Sequence, residues 1–137
     1  MILAMRYHRL ALLLLALPAA ARAQIAIGDR PRVTGLRINF RDRRLEEVKG
    51  VNATIWFPYD PPSGVVRGVV IGGLGVGAPR ISGGALGVFN RVSGTQHGLT
   101  VGVVNYAREL HGAQVGLVNI VNGPRGRRVI PVINVGR

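Results

Sequence analysis

The sequence predicts an all-β protein of about seven tandem one-strand repeats, each of about fifteen residues, stacked like a β-solenoid. A glycine opens six of these units at intervals of 15, 18, 15, 15 and 14 residues. Apolar side chains alternate around each glycine, as in a strand, and no window after residue 23 shows a convincing helical period. Self-similarity at a fixed period indicates a repeat architecture. The six glycines are Gly35, Gly50, Gly68, Gly83, Gly98 and Gly112.

We number positions within a unit from its glycine, which is position 0. Position −2 is apolar except at Gln96, and positions +1 and +3 are mostly apolar. Positions +5 and +6 are apolar together, so the alternation switches, and a chain corner near position +4 would explain the switch. That corner favours the solenoid, whereas the small size of a fifteen-residue coil favours an antiparallel β-meander or a small barrel. Position +2 is often polar, as at Arg37, Asn52, Thr100 and Gln114.

The units follow one another with one interruption. Residues 24–31 form a lead-in, and residues 33–57 hold the two most polar units. The segment 58–64, rich in proline, is a predicted loop insertion that accounts for the one long interval. Two glycine-rich units follow, and residues 98–122 are the most regular. After a basic turn at residues 123–128, a seventh, degraded copy closes the chain with Ile130, Val132 and Asn134, and Pro131 replaces the glycine.

Residues 1–23 resemble a secretory signal peptide rather than part of the fold. Arg6, His8 and Arg9 provide a basic start, residues 10–17 an apolar run, and Ala21-Arg22-Ala23 a cleavage site. We therefore expect export, a single β-repeat domain over residues 24–137, and a location in the periplasm, the outer membrane or at the cell surface.

The chain is strongly basic and contains no cysteine, so no disulfide supports the fold. Its formal net charge of +12 falls to +9 when Arg6, Arg9 and Arg22 leave with the leader. Arginines cluster at residues 30–32, 37–44 and 125–128, near the ends of the repeat array, where polar caps are needed. The positive charge makes anionic envelope polymers candidate binding partners of the protein. Self-association is the alternative, and we do not expect nucleic acid to be a partner.

No residue is assigned a catalytic, cofactor-binding or metal-binding role, no cofactor is predicted, and we expect no enzyme. The Gly73–Ala78 segment matches a dinucleotide-binding turn, but Pro79 follows where that turn needs a helix. His97 and His111 share position −1, with Glu109 near them, yet this position holds solvated residues in the other units. No acid–base pair or nucleophile triad is brought together by the repeat. The asparagines at position +7, Asn90, Asn105 and Asn119, fit a structural ladder.

The phrases Gly98-Leu-Thr-Val-Gly-Val-Val-Asn-Tyr-Ala and Glu109-Leu-His-Gly-Ala-Gln-Val-Gly-Leu-Val-Asn-Ile resemble the leptospiral-type surface-repeat proteins. These are exported bacterial proteins with tandem G-x-Q-x-G-L-x-N units. The resemblance extends over about residues 33–134 and implies exposure at or near the cell surface, without implying an activity.

Together these features predict a non-enzymatic, exported structural or surface-interaction repeat protein of a bacterial envelope. It would present a repetitive face whose variable positions are the +2 column and the turns between units. The alternatives are a small outer-membrane β-barrel and a polyanion-binding module that uses the terminal arginine clusters.

Overall fold

The computed structural model describes residues 23–58 and 62–137, which contain eight β-strands and no helix. The predicted signal peptide therefore lies outside the described residues, except for Ala23. All eight strands belong to one sheet in chain order. Their bounds are β1 Gln24–Ile27, β2 Arg32–Asn39, β3 Glu47–Thr54, β4 Val65–Gly72, β5 Gly75–Leu86, β6 Phe89–Val101, β7 Val104–Gly123 and β8 Gly126–Gly136.

The repeat spacing and the three-dimensional register coincide. Strands β1 to β7 pair in parallel, and each unit glycine lies beside the glycine of the next unit, from Gly35 to Gly112. Successive parallel pairing in chain order means that the chain advances by one coil per unit. The structure is a β-solenoid of about six coils, which confirms the predicted fold class and excludes the meander.

The corner expected near position +4 is present. Strands β5 and β6 end at Leu86 and Val101, and bends at residues 87–88 and 102–103 carry the chain into the next strand. A second irregularity in the same coils lies after Ala78 in β5 and after Val92 in β6. The switch in apolar alternation at positions +5 and +6 corresponds to the bends that follow Leu86 and Val101, not to the second irregularity.

The unit glycines are required by their backbone. All six have a positive φ, between 112° at Gly98 and 140° at Gly112. A Cβ on Gly98 would lie 1.9 Å from the carbonyl oxygen of Gly83 in the coil before it. Only glycine combines this conformation with so close an approach between coils.

Aliphatic side chains fill the centre of the solenoid. Position −2 points inward in all six units, and Val48, Val66 and Ile81 at this position are at most 1% exposed. The core cluster consists of Leu45, Val48, Val66, Val70, Val76, Ala78, Ile81, Ala85, Val92 and Ala107.

The +2 column is also inside, so the prediction that it forms the displayed, variable surface is wrong. Arg37, Asn52 and Gln114 are completely buried, and Thr100 is 1% exposed. Three of them hydrogen-bond to a neighbouring coil: Arg37 Nη1 donates to Asn52 Oδ1 at 3.0 Å, and Gln114 Nε2 donates to Gln96 Oε1 at 3.3 Å. Their polarity reflects hydrogen bonding between coils rather than contact with water, whereas Thr100 Oγ1 has no hydrogen-bond partner among the described residues.

The position +7 asparagines form the predicted ladder. Asn90 Nδ2 donates to Asn105 Oδ1, and Asn105 Nδ2 donates to Asn119 Oδ1, both at 2.8 Å. The same amides reach backbone carbonyls at the corner, including those of Gly87 and Gly116. Since a Cβ at Gly102 would lie 2.4 Å from Asn90 Nδ2, the small residue at +4 leaves the space that the ladder occupies.

The first coils are closed by a buried ionic cluster, and here two expectations are corrected. The lead-in contains a strand, β1, which pairs with β2. Arg37, counted among the arginines of residues 37–44 that were expected to form a polar cap, is buried and pairs with Asp29 and Asp42. Asp42 also accepts hydrogen bonds from Asn39 Nδ2 at 2.7 Å and Asn52 Nδ2 at 2.9 Å.

The closing unit reverses direction instead of adding another parallel coil. After a turn between Gly123 and Gly126, β8 pairs antiparallel with β7. Asn134 therefore lies beside Gln114, to whose Oε1 its amide donates at 3.2 Å, and not beside Asn119. This strand covers the last parallel edge of the stack.

The proline-rich insertion leaves the solenoid between β3 and β4. Its flanks, Phe57, Pro58 and Pro62, pack over β5, where Gly75 and Gly77 provide the room. Residues 59–61 lie outside the described part of the chain.

Candidate functional site

The outward side of the sheet carries a band of aliphatic side chains with one gap, which we call the apolar strip. It consists of positions +1 and +3 of each unit with their partners in β1 and β8, and Gly84 is its only position without a side chain. None of its members is buried. Along the stack, the pairs are Ile25 and Ile27, Leu36 and Ile38, Val51 and Ala53, Val69 and Ile71, Gly84 and Leu86, Leu99 and Val101, Ala113 and Val115, and Val135 and Ile133.

The strip runs the full length of the described solenoid. Eight strands are separated by seven spacings of about 4.8 Å, which gives a length of about 34 Å. Ile25 and Ile27 at one end are 73% and 80% exposed, and Leu99 in a middle coil is 48% exposed. Aliphatic side chains scattered singly on a surface are ordinary, but a contiguous band of them makes this face the candidate interaction surface.

A second apolar column, the corner ridge, runs beside the strip at the first bend of each coil. Backbone hydrogen bonds link its residues from coil to coil, as between the Val103 amide and the Val88 carbonyl at 2.9 Å. All six side chains are exposed, by between 36% and 70%. They are Phe40, Ile55, Leu74, Val88, Val103 and Leu117.

Every phenylalanine of the chain and its only tryptophan meet in an aromatic cluster at this corner. Phe40 stacks on Trp56 with ring centroids 6.2 Å apart, and Trp56 contacts Phe57 edge to face at 6.3 Å. Phe57 in turn lies 5.9 Å from Phe89. All four rings are more than one-third exposed. Large aromatic side chains are enriched at interaction surfaces, and Phe40 joins this cluster to the corner ridge.

A groove of about 520 Å³ opens beside the aromatic cluster. Phe57, Phe89, Val104 and Tyr106 contribute its apolar lining, and the insertion flanks Pro58 and Pro62 form one wall. Its volume lies within the range of ligand pockets, about 300–1,000 Å³. The groove is continuous with the exposed aromatic rings, and we treat it as part of the same apolar surface.

The glycine column separates the apolar strip from a polar strip formed by positions −1 and −3. Lys49, Arg67 and Arg80 lie here and project outward from the same strands. Glu47 bridges Lys49 and Arg67 at 3.5 and 3.4 Å. The outward side of one strand is thus polar before the glycine and apolar after it.

All five carboxylates of the described residues contact a basic side chain. Besides the bridges of Glu47 and the Arg37 cluster, Glu46 pairs with Arg32 at 2.6 Å and Glu109 with His111 at 2.9 Å. Since arginine and lysine outnumber acids by 18 to 6 over the whole chain, most of the positive charge has no carboxylate to balance it.

His97 and His111 meet on the polar strip, as their shared position implied. Their rings stack with centroids 4.7 Å apart and an interplanar angle of 9°. Glu109 accepts hydrogen bonds from His111 and from Thr95 Oγ1, and these bonds, that of His111 first, lower the pKa of the Glu109 carboxyl from its ordinary value. Within the described ranges, no group of three or more potential ligands is placed to hold a metal ion.

The remaining sequence candidates lie apart from the apolar surface or serve the fold. In the Gly73–Ala78 segment a strand begins at Gly75, where a dinucleotide turn would begin a helix. The apolar strip was visible in the sequence as the apolar +1 and +3 positions, but their outward direction was not inferred.

Comparisons with protein-family models, curated proteins and solved structures give no match to this chain. Among the described residues, none forms a helix of the length and apolar character required to cross a membrane.

Proposed function

We propose that this chain is a non-enzymatic, exported interaction protein of a bacterial envelope. Its working surface is the apolar strip, together with the corner ridge and the aromatic cluster. The observation that carries this proposal is the outward direction of the +1 and +3 aliphatic side chains in every strand. A surface of this kind binds by removing apolar area from water.

The contrast within each strand supports a role beyond folding. The interior is already filled by positions −2 and +2, by the +7 asparagines and by the other members of the core cluster, so the apolar strip adds little to the core. At positions −3 and −1 the same strands carry mostly polar residues on their outward side. An outward polar column is therefore compatible with this solenoid. The aliphatic residues at positions +1 and +3 need an explanation other than folding, and binding supplies one.

Export and the envelope location rest on the sequence. The basic start, apolar run and Ala-x-Ala site of residues 1–23 are typical of a secretory leader. The resemblance of residues 33–134 to leptospiral-type surface repeats points to the same compartment.

The test is cell fractionation of the full chain with a matched pair of variants. Leu86→Thr/Leu99→Thr replaces two exposed members of the apolar strip. Val65→Thr replaces a partly exposed aliphatic residue at position −3, which belongs to the polar strip. We expect wild type and Val65→Thr in the envelope fraction, and the double variant largely in the soluble periplasmic fraction. Cytosolic retention of the wild-type chain, or equal envelope association of all three proteins, contradicts the proposal.

Binding of an anionic polymer is the second candidate function. Arg125, Arg127 and Arg128 are all exposed at the turn before β8 and along its start. Arg127→Ser/Arg128→Ser would then weaken binding to an acidic polysaccharide and reduce its salt dependence. Unchanged binding by this variant would exclude these arginines as the polymer site.

A further inference from the structure

We propose that the partner of the apolar strip is an anionic lipid bilayer, on whose surface the solenoid lies with the strip and the corner ridge in the interfacial region. This inference rests on the proposed function and names its partner. The solenoid would lie along the membrane surface without crossing it.

The shape of the apolar surface suits a bilayer. It is an array two columns wide and about 34 Å long, with a ridge along one border. A lipid interface adapts to such an outline, since peripheral elements sink an apolar face about 5–10 Å into the boundary between headgroups and acyl chains. The exposed side chains of the strip and ridge are mainly aliphatic, as this depth requires.

The aromatic cluster lies at the border of the apolar surface. Trp56 is 44% exposed and stacks on Phe40, which belongs to the corner ridge. Tryptophan rings favour the headgroup level of a bilayer because they join an apolar body to a polar N–H. The position of Trp56 therefore fits the edge of a membrane-binding face.

The charge of the molecule selects an anionic surface. Residues 24–137 carry a formal net charge of +9, and all five carboxylates of the described residues already contact bases. Lys49, Arg67 and Arg80 border the apolar strip across the glycine column, and the single carboxylate of Glu47 is shared between the first two. Basic groups beside an apolar face attract anionic headgroups while the face enters the interface.

The same charge disfavours a second copy as the occupant of the strip. Two solenoids packed through their apolar strips would bring two positive net charges, and both basic borders, close together. An anionic bilayer would instead neutralise them. Dimer formation is nevertheless retained as an outcome of the test.

The experiment measures binding of the purified chain of residues 24–137 to vesicles of phosphatidylglycerol and, separately, of phosphatidylcholine. Trp56 is the only tryptophan, so its fluorescence reports the contact directly. We expect cosedimentation with phosphatidylglycerol and a blue shift of the emission. Affinity for phosphatidylcholine should be at least about tenfold lower, and added salt should weaken the anionic interaction.

Three variants locate the contact. Leu86→Thr/Leu99→Thr should weaken vesicle binding by about tenfold or more, because two half-exposed leucines leave the strip. Val65→Thr should change it by no more than about twofold. Gly84→Val should strengthen it, because a Cβ there meets nothing closer than 3.8 Å and the added side chain fills the one gap in the strip.

Three results would overturn the inference: no binding to phosphatidylglycerol, equal binding by the double leucine variant, or a dimer that the leucine changes dissociate without any vesicle binding. If the protein does not bind vesicles but its presence in the envelope fraction still depends on Leu86 and Leu99, only the lipid assignment is wrong. If fractionation itself is insensitive to those residues, the proposed function fails as well.

Discussion

Polar side chains inside a narrow coil need partners, and Asn90 marks where the ladder of this solenoid begins. Its Nδ2 donates to Asn105, but its Oδ1 has no hydrogen-bond partner among the described residues. In the coil before it, Val76 occupies the same column. The ladder is therefore incomplete on one side, and an apolar residue lies where a donor would fit.

A substitution at this position tests the ladder. Val76→Asn places an amide in register with Asn90 Oδ1, whereas Val92→Asn buries the same amide between Ala78 and Ala107. We expect Val76→Asn to lower the free energy of unfolding by at least about 1 kcal/mol less than Val92→Asn does, because a buried amide without hydrogen-bond partners is strongly destabilising. Urea denaturation measures both. Equal costs would mean that the ladder does not accept an additional member.

The Arg37 cluster makes a second prediction. Arg37→Met leaves the buried carboxylate of Asp42 without its cation, a change that costs about 3–5 kcal/mol in related cases. Adding Asp42→Asn removes that charge. In a double-mutant cycle, the double variant should therefore lose at least about 1 kcal/mol less stability than the sum of the two single variants. Strict additivity of the two changes in urea denaturation would contradict a direct buried pairing.

Residue type alone misled the interpretation of the +2 column. Arg37 and Gln114 look solvated in a single sequence, but the amide or guanidinium of one coil meets a polar group of a neighbouring coil. The +7 asparagines were assigned correctly because three identical residues recur at one position, whereas the +2 residues differ from unit to unit. Hydrogen bonding between unlike side chains leaves no simple repeat in the sequence.

At the scale of the strand, the unit glycine separates an outward polar segment from an outward apolar one. We expect Gly98→Ala to destabilise the protein by about 2–4 kcal/mol, because φ is 112° and the added Cβ would lie 1.9 Å from the Gly83 carbonyl oxygen. Gly84→Ala, one position further along its own unit, is the control and should change stability by less than about 0.5 kcal/mol or raise it. Thermal unfolding of the two variants tests this expectation. Similar melting temperatures would contradict the requirement for glycine at position 0.

The strands of the regular units and the existence of a closing strand were predictable, but strand β1 and the direction of β8 were not. The spacing of the glycines gives the observed register of β2 to β7 because equivalent residues of a solenoid stack in columns. The four-residue strand β1 has no unit glycine to reveal it. The direction of β8 is set by the turn between Gly123 and Gly126, and apolar periodicity is the same for either direction of pairing.

The whole molecule combines a partly polar interior with an apolar exterior strip. The arrangement follows from the coil size: about fifteen residues enclose only a narrow core, so polar ladders and small side chains share it with valine and isoleucine. The remaining aliphatic residues occupy the outward columns after the glycine. The proposed membrane surface is a direct consequence of this distribution.

The outward direction of the apolar columns is the central claim, and the absence of native cysteine makes it directly measurable. Leu99→Cys and Thr100→Cys place one thiol at neighbouring positions whose native side chains are 48% and 1% exposed. In the folded, vesicle-free chain, we predict rapid labelling at position 99 and labelling at least about tenfold slower at position 100, until the chain unfolds. Faster labelling at position 100, or equal rates at both, would contradict the account.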